Sequence, residues 1–196
     1  GAFAIGIKVG RRSADWLLVD FAGQVRERIV LDYPFPDAAT LLPAIESNLQ
    51  RLLRGLGPLQ DRVVGVGVAA PYLLGGWHRM LGLTEGQSQA WNALDLRQAV
   101  QAMTPLPVSF AKDTTAACVS ELIQGRGREI RSFLYVFLDT FVGGGLVLNS
   151  HLHRGLHGNA GAIASLPLSV AAEAPGQGPE AGLPPQLISQ ASLWDL

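Results

Sequence analysis

The chain has 196 residues, of which 48% are hydrophobic and 16% are charged, and its formal net charge is −1. This length and hydrophobic content allow a substantial buried core, in one large domain or two small lobes, and exclude a disordered protein. A net charge so close to zero excludes the global positive field with which proteins bind phosphate backbones through bulk charge.

The cysteine content and the longest apolar run limit the compartment and the partners. Cys118 is the single cysteine, which excludes an internal disulfide and a zinc site built from several thiolates. We therefore expect a reducing, cytoplasmic environment. The longest apolar run, residues 133–148, is interrupted by Asp139 and by three glycines. It is too short and broken to span a bilayer, so we expect no membrane partner.

Three short β-rich runs separated by turn-like residues open the chain. Their spacing predicts consecutive antiparallel strands over residues 4–10, 13–20 and 24–33. In residues 37–56 apolar side chains recur every three, four or seven positions, and this period predicts an amphipathic helix.

The next segments alternate between strand and helix patterns. The continuous apolar run 62–71 predicts a buried parallel strand. Residues 94–103 predict a short helix and residues 107–113 a further strand. A helix is predicted over residues 114–124, with Thr114 or Asp113 as its N-cap.

The pattern then begins again, which indicates an internal repeat of topology. Residues 133–140 predict a buried strand and residues 142–152 its hairpin partner. Residues 173–185 are rich in Pro and Gly and predict a loop. Residues 187–196 have the pattern of a helix that the chain does not finish. We therefore expect two α/β lobes, residues 1–112 and 113–196, the second incomplete in this chain.

Four segments at these separations resemble the ROK family of bacterial sugar kinases and sugar-responsive repressors. They are GIKVG, GVGVAAP, KDTTAACVSE and VGGGLVLNSHLHRGLHGNAG. The resemblance covers nearly the whole chain. It implies an α/β, two-lobed actin/hexokinase-like (ribonuclease H-like) fold.

The residue types differ here at the positions where the family's kinases bind metal and phosphate. By the resemblance, Lys8 stands where the kinases have an Asp, and Arg11 and Arg12 stand in the turn where they have a Gly-Thr pair. A lysine cannot ligate Mg²⁺, which prefers oxygen ligands. The kinases' second phosphate-binding turn, Gly-Thr-Gly, reads Asp139, Thr140, Phe141.

The sugar-binding positions also differ. The kinases' Asn-Asp pair reads Lys112 and Asp113, and their later Glu and His read Ala162 and Ser165. The family's zinc-binding Cys cluster has no counterpart. Asp113 survives, at the position that in the kinases acts as general base on the sugar hydroxyl. These losses together argue against phosphotransfer.

The resemblance favours the regulator branch, partly because of the turn GRRS after the first strand. We expect a sugar-sensing effector-binding and dimerisation domain that uses no cofactor and no metal. It would begin midway through a regulator whose winged helix-turn-helix, outside this chain, binds DNA, and it would form a homodimer or homotetramer. The residues implied in sugar binding are Lys112, Asp113, Gly143, Gly144, His157 and Asn159, and the candidate anion-binding residues are Lys8, Arg11 and Arg12.

Several alternatives stay open at this point. The chain could be an ATP-dependent sugar kinase with Asp113 as general base, or a scaffold with a collapsed cleft. The chain's two lysines, Lys8 and Lys112, have two interpretations. In the first they make the cleft selective for an anionic sugar derivative. In the second Lys112 pairs with neighbouring carboxylates and Lys8 fills a vacated metal site. Asp113 accepts a sugar hydroxyl or only caps a helix. The histidines His151, His153 and His157 are either metal ligands or exposed side chains. The tryptophans Trp77, Trp91 and Trp194 either stack on a sugar ring or belong to the core.

Overall fold

The computed structural model describes residues 1–72, 84–168 and 185–193. The chain divides into two compact units, Gly1–Ala116 and Ala117–Leu196. In the described ranges each unit contains one sheet. Within the described residues, no helix combines the length and the hydropathy that crossing a bilayer requires.

The first unit has a five-stranded mixed sheet in the order β3-β2-β1-β4-β5. Strands β1 to β3 form an antiparallel meander, and β4 and β5 continue from β1 in parallel. The predicted strands of this region are therefore confirmed. Their bounds are β1 Phe3–Val9, β2 Ser13–Asp20, β3 Val25–Asp32, β4 Val63–Ala70 and β5 Val108–Lys112.

Alternation along β1 explains how this sheet acquires a core face. Ile5, Ile7 and Val9 are each no more than 1% exposed, while the residues between them are more accessible. The facing helix α1, Ala38–Gly55, buries residues at helical spacing: Leu41, Ile45, Leu49 and Leu52. Its predicted start is confirmed, since the Asp37 carboxylate caps it by accepting a hydrogen bond from the Thr40 backbone N–H at 3.0 Å.

Three other helices belong to or begin in this part of the chain: α2 Glu85–Asn92, α3 Leu96–Gln101 and α4 Asp113–Gln124. The sequence predicted α3 and α4 but missed α2, whose few apolar residues give little periodicity. A local signal was nevertheless present. Thr84 and Gln87 form a capping box, in which each side chain bonds to the other residue's backbone N–H.

The second unit has a three-stranded antiparallel sheet in the order β6-β7-β8. Its strands are β6 Phe133–Phe137, β7 Gly143–Leu148 and β8 His151–His153. The predicted hairpin partner, 142–152, is thus two strands. Asn149 and Ser150 separate them with φ values of 51° and 62°, as in the tight turns that suit the twist of a hairpin.

The end of the chain differs from its prediction. Helix α5 covers only Ile188–Ala191, because Ser192 is already extended. The Ser192 hydroxyl instead accepts a hydrogen bond from the Val142 N–H at 3.1 Å. The predicted loop 173–185 lies outside the described residues except for Pro185.

Candidate functional site

The carboxyl ends of β1, β4 and β5 meet at one edge of the first sheet, because these strands are parallel. Lys8, Ala69 and Ala111 are aligned in one row of the register, and Ala70 is paired with Lys112 in the next row. With neighbouring strands about 4.8 Å apart, the Cα atoms of Lys8 and Ala111 are separated by about 10 Å. The structure thus brings the β1–β2 turn and the Lys112–Asp113 pair to the same edge, where α/β proteins commonly bind ligands.

The two lysines lie on opposite faces of this sheet. Side chains alternate along a strand, and residues paired across parallel strands share a face. Lys112 shares the row of Ala70, which is 1% exposed on the core side, whereas Lys8 belongs to the alternate row. A ligand that contacted both lysines would have to cross the edge of the sheet.

The β1–β2 turn is held by the chain itself. The Gly10 N–H donates to the Ser13 carbonyl at 2.8 Å, and the Tyr33 hydroxyl donates to the Gly10 carbonyl at 2.9 Å. Burial, and then the negative charge of Asp15, raise the pKa of Tyr33, so that its hydroxyl stays a hydrogen-bond donor further into the alkaline range. Within the turn Arg11 is only 8% exposed, while Arg12 is on the surface.

A carboxylate lies directly across from Lys8. Asp15 is the register partner of Lys8 on β2 and is itself buried. The guanidinium of Arg28 donates to the same Asp15 oxygen from Nε at 2.9 Å and from Nη2 at 2.5 Å. The Asp15–Arg28 ion pair therefore lies beside the cationic turn and adds little net charge to it.

Asp113 begins α4 at the carboxyl end of β5. Its Oδ1 atom accepts a hydrogen bond from the Thr114 N–H at 2.7 Å, and the side chain is half-buried. A carboxylate in the first turn is favoured by the positive end of the helix dipole. Lys112 is also half-buried. The pair therefore offers an anchored carboxylate and an ammonium group on one accessible edge.

The β6–β7 turn contains Asp139, Thr140 and Phe141, which the resemblance aligns with the kinases' second phosphate-binding turn. The Thr140 N–H donates to the Asp139 carboxylate at 2.7 Å, and the Val142 N–H donates to the Ser192 hydroxyl at 3.1 Å. The Leu193 N–H in turn donates to the Asp139 carbonyl at 3.1 Å. Phosphate binding by backbone requires N–H groups that point at the ligand. Here two such groups are satisfied within the chain.

The predicted ligand residues Gly143 and Gly144 are buried in β7, and Gly144 lies against the backbone of the following loop. A Cβ atom at Gly144 would lie 3.1 Å from the Gly161 carbonyl oxygen, and one at Gly161 would lie 2.5 Å from the Gly144 carbonyl oxygen. Ile163, 6% exposed, packs beside them. The sequence did not predict this glycine pair, since its signal is a contact between distant positions.

The rest of this loop is open to solvent. His157 and Asn159 are exposed, as are Ala162 and Ser165. The Ala162 N–H donates to the Asn159 carbonyl at 3.0 Å, and the Ser165 hydroxyl donates to the Ala162 carbonyl at 3.1 Å. The loop is thus shaped by backbone contacts.

The histidines and tryptophans fall into different environments. His151 and His153 are exposed, and the His151 Nδ1 atom is 2.7 Å from the Asn149 carbonyl oxygen. Across the described ranges no three His, Cys, Asp or Glu side chains are arranged to hold a metal ion. Trp91 is 5% exposed and donates from Nε1 to the Pro36 carbonyl at 2.5 Å, so it belongs to the core. Trp77 and Trp194 lie outside the described residues.

Curated relatives of the chain include both enzymes and regulators. The glucokinase of Halalkalibacterium halodurans is 26% identical over 162 residues, covering 81% of this chain and 48% of that protein. The xylose repressor of Bacillus subtilis is 23% identical over 164 residues, covering 81% of this chain and 41% of that protein. The chain therefore spans less than half the length of either relative.

Solved structures match the fold over nearly the whole chain. A ROK family transcriptional regulator homologous to the E. coli MLC protein has a TM-score of 0.71 at 20% identity, covering 98% of this chain and 47% of that chain. The ROK hexokinase from Thermus thermophilus has a TM-score of 0.69 at 21% identity, covering 97% and 60%. The predicted α/β, actin/hexokinase-like fold is confirmed.

The family assignment follows from the sequence model of the ROK family, which matches residues 4–193. This match includes the candidate residues of both units from Lys8 to Ser165. The chain belongs to the ROK family.

Proposed function

We propose that this chain is the sugar-sensing, effector-binding and dimerisation part of a ROK-type transcriptional regulator and that it does not transfer phosphate. The observation that carries the proposal is the β6–β7 turn. Its Thr140 and Val142 N–H groups bond to the chain's own Asp139 and Ser192 side chains at 2.7 and 3.1 Å. A phosphate would have to displace both bonds, and the Asp139 carboxylate would repel it.

The first sheet supports the same conclusion. Lys8 stands where the resemblance implies a metal-orienting carboxylate, and an ammonium group repels Mg²⁺ instead of ligating it. The neighbouring carboxylate, Asp15, is bonded to Arg28. Metal-assisted phosphoryl transfer depends on positioning and charge stabilisation, and both would be lost here.

The edge that remains is suited to recognition. Asp113 is fixed by the Thr114 N–H at 2.7 Å and stays half-buried, so that a carboxylate oxygen can accept a bond from a sugar hydroxyl. Lys112 adjoins it with a donor for a second hydroxyl or for an anionic substituent. From the resemblance, we also propose His157 and Asn159, exposed residues of the second unit, as ligand-binding residues, whereas Gly143 and Gly144 are buried in β7.

Signalling would proceed by a shift in population. A sugar that binds one conformation of lobes 1–112 and 113–196 more tightly than another would shift the chain towards that conformation. The change would reach DNA through a winged helix-turn-helix outside this chain, in a homodimer or homotetramer. The proposal requires a measurable difference in affinity between the two conformations.

The proposal can be tested with the chain as it stands. A thermal-shift screen of neutral sugars, sugar acids and sugar phosphates should find at least one stabilising compound, and MgATP should produce no shift. A coupled assay for ADP across the same panel should give no sugar-dependent signal. Asp113→Asn should weaken the sugar-induced shift. Sugar-dependent ADP formation that Asp113→Asn abolishes would contradict the proposal.

The second candidate function is an ATP-dependent sugar kinase. Asp113, at the position of the kinases' general base, favours it, and so does the glucokinase at 26% identity. It predicts turnover that depends on Mg²⁺, with Asp113 accepting the proton of the sugar hydroxyl. The same ADP assay separates the two candidates. The Ser192→Ala variant is a further check. Removing the Ser192 hydroxyl would leave the Val142 N–H available to bond to a phosphate.

A further inference from the structure

A cavity of about 390 Å³ opens beside the carboxyl end of β4 in the first unit. Its walls come from the end of β4, the last turn of α2, the start of α3 and the β5 residue Phe110. Cavities of this size are typical of sites for small organic molecules.

The wall of the cavity is preformed. Trp91 is held by its hydrogen bond to the Pro36 carbonyl and is 5% exposed, and Leu96 is 7% exposed. Neither side chain can move without breaking core contacts. A ligand that enters would therefore meet a rigid apolar surface and would not have to order it.

Phe110 is unusually open for its place in the sheet. Its register partner Val68 is 2% exposed and the preceding residue on the same face, Val108, is 8% exposed, yet Phe110 is 39% exposed. The cavity is the reason, because it interrupts the core layer above this ring. Tyr72 adds a second aromatic side chain to the lining and is 78% exposed.

Charged groups in the lining come from the start of α3. The Asp95 carboxylate caps that helix, accepting from the Gln98 N–H at 2.9 Å, and this bond lowers the pKa of Asp95. Arg97 presents an exposed guanidinium group beside it. An apolar floor with a charged margin suits a planar ring that bears a polar group, since guanidinium groups also stack on aromatic faces.

The cavity adjoins the proposed sugar site. Ala70, in its lining, is the register partner of Lys112, and Phe110 precedes Lys112 by two residues on the same face of β5. Residues spaced in this way are about 7 Å apart. A substituent on a sugar held at Lys112 and Asp113 could therefore reach Phe110.

We propose that this cavity receives the aromatic or other apolar ring of a glycoside whose sugar is held at Lys112 and Asp113. The inference rests on the proposed function and makes the effector a ring-bearing glycoside. Phe110 and Tyr72 would contact the ring, with Trp91 as the fixed wall behind it.

Calorimetric titration with matched glycosides tests the proposal. The probes are the 4-nitrophenyl and methyl β-glucosides and the same pair of xylosides. With one sugar of the panel, the 4-nitrophenyl compound should bind the chain at least about tenfold more tightly, the advantage expected of one buried aromatic contact. Phe110→Ala should remove that advantage while leaving the affinity for the methyl compound unchanged. Tyr72→Ala, at a position open enough that the fold is unaffected, should reduce it.

Phe21→Ala is the matched control, because Phe21 is 89% exposed at the β2–β3 turn and lines no part of the cavity. It should keep the preference intact. Equal binding of the two compounds, or a preference that survives both cavity variants, would overturn the cavity proposal and leave the sugar site standing. Failure of every glycoside and free sugar to bind would instead refute the proposed function, and the cavity proposal with it.

Discussion

Both sheets of this chain contain an antiparallel meander of three strands, but the first strand of the meander has different neighbours in each sheet. In the first sheet β4 pairs with the outer side of β1 and α1 belongs to the core on its face, where Ile5 and Ile7 are each 1% exposed. In the described part of the second sheet β6 stands at the edge, and Leu134 and Val136 are each 51% exposed. Similar apolar strands are thus buried or open according to what packs on them, which the strand's own residues do not specify.

Individual glycines of the two sheets also differ in how closely they are packed. Gly67 in β4 has room for a side chain, since its nearest neighbour would be the Ser109 hydroxyl at 3.9 Å. Gly144 and Gly161 have none, because each meets the other's backbone. A side chain is therefore tolerated at Gly67 but not at Gly144 or Gly161.

The largest expected effect on stability distinguishes β1 from β6, the first strands of the two sheets. Ile7→Ala should lower the free energy of unfolding by about 3 kcal/mol, because it opens a cavity in the core face of the first sheet. Val136→Ala, on the open face of β6, should change it by less than about 0.5 kcal/mol. Urea denaturation measures both. Similar losses for the two variants would mean that Val136 is covered in solution.

The glycine contrast gives the next largest effect. Gly161→Ala should destabilise the chain by about 2 kcal/mol, because the new methyl group collides with backbone atoms that cannot rotate away. Gly67→Ala is the control and should change stability by less than about 0.5 kcal/mol. If the two variants unfold at the same urea concentration, the close packing of Gly161 on β7 is wrong.

Lys112 tests whether the first sheet's edge selects anionic ligands. Lys112→Met should reduce the affinity for a sugar phosphate or sugar acid about tenfold, or about 1.4 kcal/mol, while binding of the neutral sugar changes little. Arg131→Met replaces an exposed cation of the second unit and should alter neither affinity. Unchanged discrimination between charged and neutral sugars in the Lys112 variant would end the anionic-ligand interpretation.

The smallest expected effect concerns pH and the β1–β2 turn. Tyr33→Phe should cost about 1 kcal/mol at neutral pH through the lost hydrogen bond to Gly10. Because the folded chain raises the pKa of Tyr33, folding favours the protonated phenol. This stabilisation is present below the unfolded pKa of about 10 and is lost as the pH rises above it. Denaturation at several alkaline pH values should therefore show a steeper loss of stability in the unsubstituted chain than in Tyr33→Phe.

Most regular elements could be predicted because their signals are local. The period of two in β1 and the spacing of Leu41, Ile45 and Leu49 in α1 each reflect a face that meets the core. Helix α2 escaped because a capping box was its main signal. The Asn149–Ser150 turn was not predicted, because residues 142–152 were assigned to a single strand.

The candidate site was predictable only in part. The resemblance singled out Lys8, Lys112 and Asp113 as ligand-binding positions, and parallel pairing of β1, β4 and β5 brings them to one edge of the first sheet. The two lysines lie on opposite faces because Lys8 is aligned with Ala111, one residue before Lys112. That offset depends on how three strands separated by dozens of residues align.

The sequence by itself determined the α/β class, the first meander and, through the resemblance, the expectation that Lys8, Phe141, Ala162 and Ser165 replace groups that the kinases use. These are properties of single positions or short windows, where residue type and periodicity are sufficient. Tertiary structure alone decided that Ser192 satisfies the Val142 N–H, that Gly161 lies on Gly144 and that Phe110 borders a cavity. Each is a contact between residues far apart in the chain, and its free energy depends on the packing of the whole unit.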